Sequence, residues 1–318
     1  MSNAHPYDTL TPEVILAAAE SIGFRTDGRL LSLPSYENRV WRIGLEEAEP
    51  VVAKFYRPAR WSDAAIAEEH TFTLDLAEAE VPVAVPIIRN GETLHRHAGF
   101  RFALFPRIGG RDPDLDRRET AEWIGRVVAR VHMVGARDRF RHRATLDVAT
   151  FVTGPARAVR ASPLLPAYLG ARHAALTDAI AQRIDAALGA LQPATLRLHG
   201  DLHPGNLLWR EAGPLLVDFD DAATGPAVAD LFMLLTGDPA QRDALIEGYE
   251  TFRTLDPLEW SLVGPLRLMR QVHYAGWLAS RWDDPAFPRA FPWAGEARWW
   301  EEHLNDLARA LDDDAAPC

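Results

Sequence analysis

Apolar residues recur along the first third of the chain at two different spacings, and the change of spacing predicts where helix gives way to strand. Val14, Ile15, Ala18, Ala19 and Ile22 fall at helical intervals behind Thr11-Pro12-Glu13, an N-cap followed by a proline start, and Gly23 supplies the stop. Short stretches rich in branched and aromatic residues follow, so Leu30 to Leu33, Arg39 to Ile43 and Pro50 to Tyr56 read as strands. Ser62-Asp63 caps a second helix to about Ala79, with Ile66, Phe72 and Leu76 close to one face. Val83 to Ile88 and Phe100 to Phe105 read as two more strands. The pattern predicts a five-stranded antiparallel sheet with a helix packed on it.

Pro106-Arg107-Ile108-Gly109-Gly110-Arg111 interrupts both periodicities and is expected to be a hinge. Beyond it the spacing is mostly helical: Asp116 to Val134, Ala171 to Leu191, Val228 to Leu235, Ala240 to Thr251, Pro257 to Arg281 and Glu296 to Leu311. The expectation is an α+β, bilobal molecule. Residues 1–107 would form a β-rich N-lobe with its N-terminal helix, and residues 108–318 a mainly helical C-lobe, with a ligand in the cleft between them.

Composition narrows the class. About half of the 318 residues are apolar and a quarter charged, which is ordinary for a globular chain, and the formal net charge of -11 argues against nucleic acid as a partner. No apolar run approaches the roughly 20 residues that span a bilayer. Met1 to Pro6 has neither a basic nor a hydrophobic leader region, and the single cysteine, Cys318, permits no internal disulfide. A cytoplasmic protein with no membrane partner is expected.

The chemistry concentrates in Leu198-His199-Gly200-Asp201-Leu202-His203-Pro204-Gly205-Asn206 and in Leu215-Leu216-Val217-Asp218-Phe219-Asp220-Asp221. An aspartate on a rigid loop can accept the proton of an attacking hydroxyl. An asparagine five positions on can turn its carbonyl oxygen to a metal, and a second aspartate at the end of a buried strand can serve the same hard cation. The interval from Asp201 to Asn206 is that of the protein-kinase loop H-R-D-x-x-x-x-N. Asp201 therefore reads as a base, Asn206 and Asp218 as metal ligands, and the reaction as phosphoryl transfer from ATP with Mg2+. His199 and His203 as a zinc pair is the competing reading of the stretch, but Gly200 stands where H-E-x-x-H has its glutamate, and Pro204 and Gly205 oppose a helix. Asp218, Asp220 and Asp221 also suit a solvated acidic turn, yet they follow the apolar Leu215 to Val217.

His-Gly-Asp-x-His-x-x-Asn with its following aspartate resembles the aminoglycoside phosphotransferase and choline kinase superfamily. So do Ser35 to Val40, Val52 to Trp61, Glu68-Glu69-His70, Glu80 to Val83, Gly225 to Leu231 and Asp284 to Pro288, which cover most of the chain. The resemblance implies that Lys54 meets the nucleotide phosphates and pairs with Glu69, or failing that Glu68. It implies that Ser35 to Arg39, through Ser35 and Asn38, replaces a glycine-rich phosphate loop, and that Phe102 to Pro106, with Phe105, lies against adenine. His199 and Asp230 would support the catalytic loop, and Asp220 stands where protein kinases of the eukaryotic type have the glycine of Asp-Phe-Gly. The implied activity is that of a protein serine/threonine kinase. The alternative is a small-molecule kinase acting on a hydroxyl metabolite such as homoserine, choline or an aminoglycoside.

Two departures bear on regulation. Gly200 replaces the arginine of His-Arg-Asp, and only about a dozen residues separate Asp218 from Asp230, so no activation-loop phosphate should be needed. The basic run Arg137 to Arg143 reads as a solvated loop, able at most to attract an acidic peptide. Trp277, Trp282, Phe287, Phe291, Trp293, Trp299 and Trp300 read as core in preference to a substrate surface.

Overall fold

The structure, a computed structural model, describes residues 6–315; Met1 to His5 and Cys318 lie outside the described residues. The chain runs α1 (Pro12–Ser21), β1 (Thr26–Leu33), β2 (Arg39–Leu45), β3 (Ala48–Phe55), α2 (Asp63–Glu78), β4 (His95–His97), β5 (Phe100–Pro106) and α3 (Arg118–Gly135). It continues with α4 (Gly154–Ala161), α5 (Gly170–Leu191), β6 (Thr195–Leu198), β7 (Leu207–Arg210), β8 (Gly213–Leu216), β9 (Ala223–Pro226), α6 (Val228–Leu231), α7 (Pro239–Glu250), α8 (Val263–Arg281), α9 (Ala286–Ala290) and α10 (Ala297–Ala315).

Strands β1 to β5 form one antiparallel sheet in the order β1-β2-β3-β5-β4. Period-two alternation decides what each face holds. Val51, Ala53 and Phe55 of β3 join Phe102 and Leu104 of β5 and Ile15, Ala18 and Ala19 of α1 in one buried cluster. Lys54, between Ala53 and Phe55 and opposite Val40 and Ala103, must therefore face away from α1. On that other face Tyr56, Ile66 and Ala103 form a second cluster, joined by Trp61 and Phe105. Ser62 caps α2 by accepting from the Ala65 amide at 3.1 Å, and the helix buries Ile66, Glu69, His70, Phe72 and Leu76.

The fourth strand is not where the sequence pattern put it. Residues 83–88 are not a strand, and the sheet is completed by His95–His97. Pro82 and Pro86 lack amide donors and break any continuous ladder. Isolated bonds replace it: Leu216 N–H to Pro82 O and Ala84 N–H to Leu216 O, both 2.9 Å, and Ile87 N–H to Leu104 O at 2.7 Å. The proline-interrupted segment thus ties the end of β8 to the sheet region. In the later chain, the helix expected over Pro257 to Arg281 opens as a 3-10 turn, Pro257–Leu262, before α8 begins.

The chain divides into two compact units, residues 1–143, 197–222 and 233–254 in the first and 144–196, 223–232 and 255–318 in the second. In the second unit, Leu278, Phe287 and Ala294 are buried beneath Trp277, Trp282, Phe291, Trp293 and Trp299, and Trp300 is buried with its indole N–H on Ala294 O at 2.9 Å. The tryptophan-rich segment is core there. In the first unit α3 packs on α7 through two glycines: a Cβ on Gly125 would overlap the Leu245 carbonyl, and one on Gly248 the Glu122 carbonyl. Both obstacles are backbone, so neither gives way cheaply. Gly248→Ala should lose about 1–3 kcal/mol through overpacking, more than the roughly 1 kcal/mol that alanine gains in a helix. Urea unfolding checks it, and an unchanged or raised midpoint would show that the two helices can separate.

Candidate active site

The segment after β6 turns at Gly200, whose φ of +83° is a conformation that side chains with a Cβ rarely adopt, and closes in a 3-10 turn over Pro204–Asn206. Glycine in place of an arginine at 200 is therefore a backbone requirement. The Asp201 carbonyl accepts from the His203 amide at 2.9 Å and from Asn206 Nδ2 at 2.8 Å. With its amide nitrogen engaged in holding the loop, Asn206 has its carbonyl oxygen left for a ligand. Asp201 itself is partly exposed, with a carboxylate oxygen 3.6 Å from His203 Nε2.

His199 is fully buried and links the loop to the strand end. Its Nε2 donates to Val217 O at 2.9 Å, its Nδ1 accepts from the Asp201 amide at 3.4 Å, and its ring lies 4.4 Å from that of Phe219. The β7–β8 hairpin then sets Asn206 beside Val217, joined by a 3.0 Å bond from Val217 N–H to Asn206 O. Asp218 follows with φ 61° and ψ 68°, left-handed without being glycine, a strain of about 1–3 kcal/mol that turns its half-exposed carboxylate away from the strand.

Lys54 meets that carboxylate. Its ammonium lies 3.0 Å from Asp218 Oδ1, 3.0 Å from Asp220 Oδ1 and 3.4 Å from Glu69 Oε1, with almost no exposure. Burial opposes its charge, but Asp218, Asp220 and Glu69 outweigh it and hold the Lys54 pKa well above the usual lysine value. Burial raises the Glu69 pKa, with Lys54 acting against it. For Asp220 burial is outweighed by Arg60, Lys54 and Arg143, which hold its carboxyl below the ordinary carboxylate range.

The Asp220 carboxylate meets two cations. Besides Lys54 it meets Arg60, which also bonds Asp221 Oδ1 at 2.5 Å and lies 3.7 Å from Glu37 Oε1. Arg57 is 3.1 Å from the same Glu37 oxygen. Glu37 sits on the loop between β1 and β2, so Arg60 ties that loop to the segment after Asp218. Asn38 has its carbonyl oxygen on the Arg57 amide at 3.0 Å, and its side chain secures the loop from within. Ser35 is partly buried on the same loop.

Three consecutive residues of α2 fasten the helix in three directions. Glu68 accepts the amides of Arg141 and His142, both at 2.8 Å, and of Arg143 at 3.2 Å. Glu69 faces Lys54. His70 bonds Tyr56 Oη at 2.7 Å through Nε2 and Thr93 Oγ1 at 2.8 Å through Nδ1. Phe105 pairs with Val52 and sets its ring edge-on to His70. Asp230 is fully buried in α6, in the second unit.

Arg57, Arg60 and Glu37 were given no role by the sequence reading, and Arg143 was placed on a solvated loop. Arg137, Arg139 and Arg141 are exposed, but the Arg143 side chain is completely buried. The arginines carry no local signal, because Arg60 finds Asp220 and Asp221 some 160 residues away. The only hint was their setting, a basic pair directly behind the lysine-bearing strand.

A model of the phosphotransferase enzyme family matches residues 30–260. Stress response kinase A of Escherichia coli strain K12 is 44% identical over 314 residues, covering 97% of this chain and 95% of that protein. The serine/threonine protein kinase RdoA of Salmonella typhimurium strain LT2 is 43% identical over 307 residues, 95% of this chain and 93% of that protein. Among solved structures, an amicoumacin kinase in complex with AMP-PNP and Ca2+ superposes with a TM-score of 0.74 at 16% identity, covering 95% of this chain and 93% of that one, which speaks to the fold alone. The chain belongs to the phosphotransferase enzyme family. Within that family its resemblance is to the stress response kinase A proteins, and it extends over nearly the whole chain.

His70 gives a pH signature. Burial, with Lys54 and Arg143 nearby, pushes its pKa down to about 3, whereas the unfolded chain takes up that proton near 6.5. Between those values the unfolded state binds one more proton, so stability falls as the pH falls, by up to about 1.4 kcal/mol per pH unit for this group. In His70→Gln, urea unfolding at pH 6, 5 and 4 should show a shallower decline than in wild type. Parallel declines would place the acid sensitivity elsewhere.

Proposed function

We propose that this chain is an ATP-dependent protein serine/threonine kinase in which Asp201 takes the proton of the acceptor hydroxyl. The juxtaposition of Asp201, Asn206 and Asp218 on one loop and one strand end, with Lys54 against Asp218, is the observation that supports phosphoryl transfer. The match to kinases of the stress response type over almost the full length supports a protein acceptor.

The donor set suits a hard divalent cation. Asn206 Oδ1 and Asp218 are oxygen ligands of the kind Mg2+ prefers, with phosphates and water completing its shell. Magnesium held there would neutralise charge on the transferring group. Everything else is work for the chain. Lys54 would offer its ammonium to the phosphates, and Glu69 would keep that ammonium charged and aimed. Ser35 and the backbone around Asn38 would border the phosphates, with the Asn38 side chain fixing that backbone. The end of β5, with Phe105, would border the adenine. His199 holds Asp201 and the strand end in one frame, and Asp230 is assigned the support of the same loop. In this reading residues 1–107 act as the nucleotide-side lobe and residues 108–318 as the acceptor-side lobe.

No helix among the described residues is long and apolar enough to cross a membrane, and the acidic chain is read as a cytoplasmic enzyme without a nucleic-acid partner. The deciding assay is radiolabel transfer from Mg-ATP to generic protein substrates, to a panel of hydroxyl metabolites, and with enzyme alone. Label on serine or threonine of protein supports the proposal. Turnover of one small alcohol with none on any protein would make the enzyme a small-molecule kinase.

The roles of the two aspartates separate by mutation. Asp201→Asn should lower turnover by about 10²- to 10⁴-fold and leave nucleotide affinity near wild type, because the group acts on the acceptor. Asp218→Ala should weaken Mg-nucleotide binding as well as turnover. Calorimetry beside steady-state kinetics makes the comparison, and the assignment fails if Asp201→Asn turns over normally or Asp218→Ala binds normally.

A further inference from the structure

Arg143 is the last residue of the basic run, and its side chain is wholly buried while its arginine neighbours face solvent. A buried guanidinium has to be accounted for donor by donor. Its Nε donates to the Ala222 carbonyl at 2.9 Å and its Nη2 to the Asp220 carbonyl. Its Nη1 lies 3.8 Å from Glu69 Oε2, on the carboxylate whose other oxygen faces Lys54. Its face covers the Trp61 ring at 4.1 Å. The loop that delivers it is fastened in turn, because Glu68 accepts the amides of residues 141, 142 and 143.

We infer that Arg143 is a positioning residue for phosphoryl transfer, holding Asp218 and Glu69 in register with one another. The inference rests on the phosphotransferase reading of the site. The two carbonyls it grips belong to the turn directly after Asp218, so the left-handed aspartate is braced on its C-terminal side. The carboxylate it approaches also pairs with Lys54, the lysine that meets Asp218. One planar fork thus connects the metal-side turn with helix α2, and a lysine, as a point charge on a flexible stem, cannot reproduce two carbonyl hydrogen bonds together with the approach to Glu69. Gly200 leaves the catalytic loop without a side chain for this task, and Arg143 reaches the same segment from a different part of the chain.

The test compares Arg143→Lys and Arg143→Met with Arg139→Met, an exposed charge change in the same loop. Calorimetry with AMP-PNP across a range of Mg2+ concentrations should show the magnesium requirement of both Arg143 variants raised about 10- to 100-fold, partly recovered at high Mg2+, with Arg139→Met like wild type. In the metal-free, nucleotide-free protein, amides 219–222 and 141–143 should exchange hydrogen faster in both Arg143 variants, while those of β2 and β3 keep wild-type protection. A merely structural role would loosen all of these amides together and lower binding by one factor at every Mg2+ concentration, and that result would overturn the inference. So would wild-type magnesium dependence with unchanged exchange at 219–222. If Arg143→Met does not fold, Arg143→Lys carries both measurements. Wild-type protein that binds no Mg-nucleotide would sink the phosphotransferase reading instead, and the exchange data would still decide whether Arg143 holds the turn.

Discussion

The ammonium of Lys54 stands among the carboxylates of Asp218, Asp220 and Glu69, and the arrangement of the site depends on that encounter. Each partner arrives on a different element: the lysine on the outward face of β3, Glu69 on α2, the aspartates behind the β7–β8 hairpin. Arg60 and Arg143 complete the neutralisation of Asp220, and Glu37 gathers Arg57 and Arg60. Removing one member of such a buried pair leaves the other uncompensated, at a cost of about 3–5 kcal/mol. The charges join elements that apolar packing and strand pairing already hold.

Asp218, Asp220, Asp221, Glu37 and Glu69 supply carboxylates to this network. Asp220 is the carboxylate on which Lys54 and Arg60 converge, while Arg143 takes its carbonyl oxygen. Where a phosphate added to a loop organises a kinase site, it does so by supplying charge for an arginine to grip. Here that charge is encoded, and α2 is anchored by Glu68 and His70 on either side of Glu69. On this account the site should need no added phosphate to assemble.

How much of this was legible depended on whether the signal was local. The α1 and α2 caps were readable because Thr11 and Ser62 bond amides three residues on. Lys54 facing away from the α1 core follows from the pleat of β3, which puts Val51, Ala53 and Phe55 together on the α1 side. The strand expected over Val83 to Ile88 does not form because Pro86 inside it and Pro82 just before it forbid a ladder, while His95–His97 is too short and polar to announce itself. Asp201, Asn206 and Asp218 stood out because Asp201 and Asn206 stand at the interval of the protein-kinase loop and Asp218 ends an apolar run. Arg60 and Arg143 did not, since an arginine that salt-bridges across 160 residues or caps carbonyls about 80 residues away looks like any surface arginine in one dimension.

The claim that the chain's own charges assemble the site is tested most directly by the initial rate of phosphoryl transfer before and after treatment of the purified enzyme with a phosphatase. The account predicts essentially the same rate, because no contact at the site requires an added phosphate. Loss of most of the activity, restored by preincubation with Mg-ATP, would contradict it.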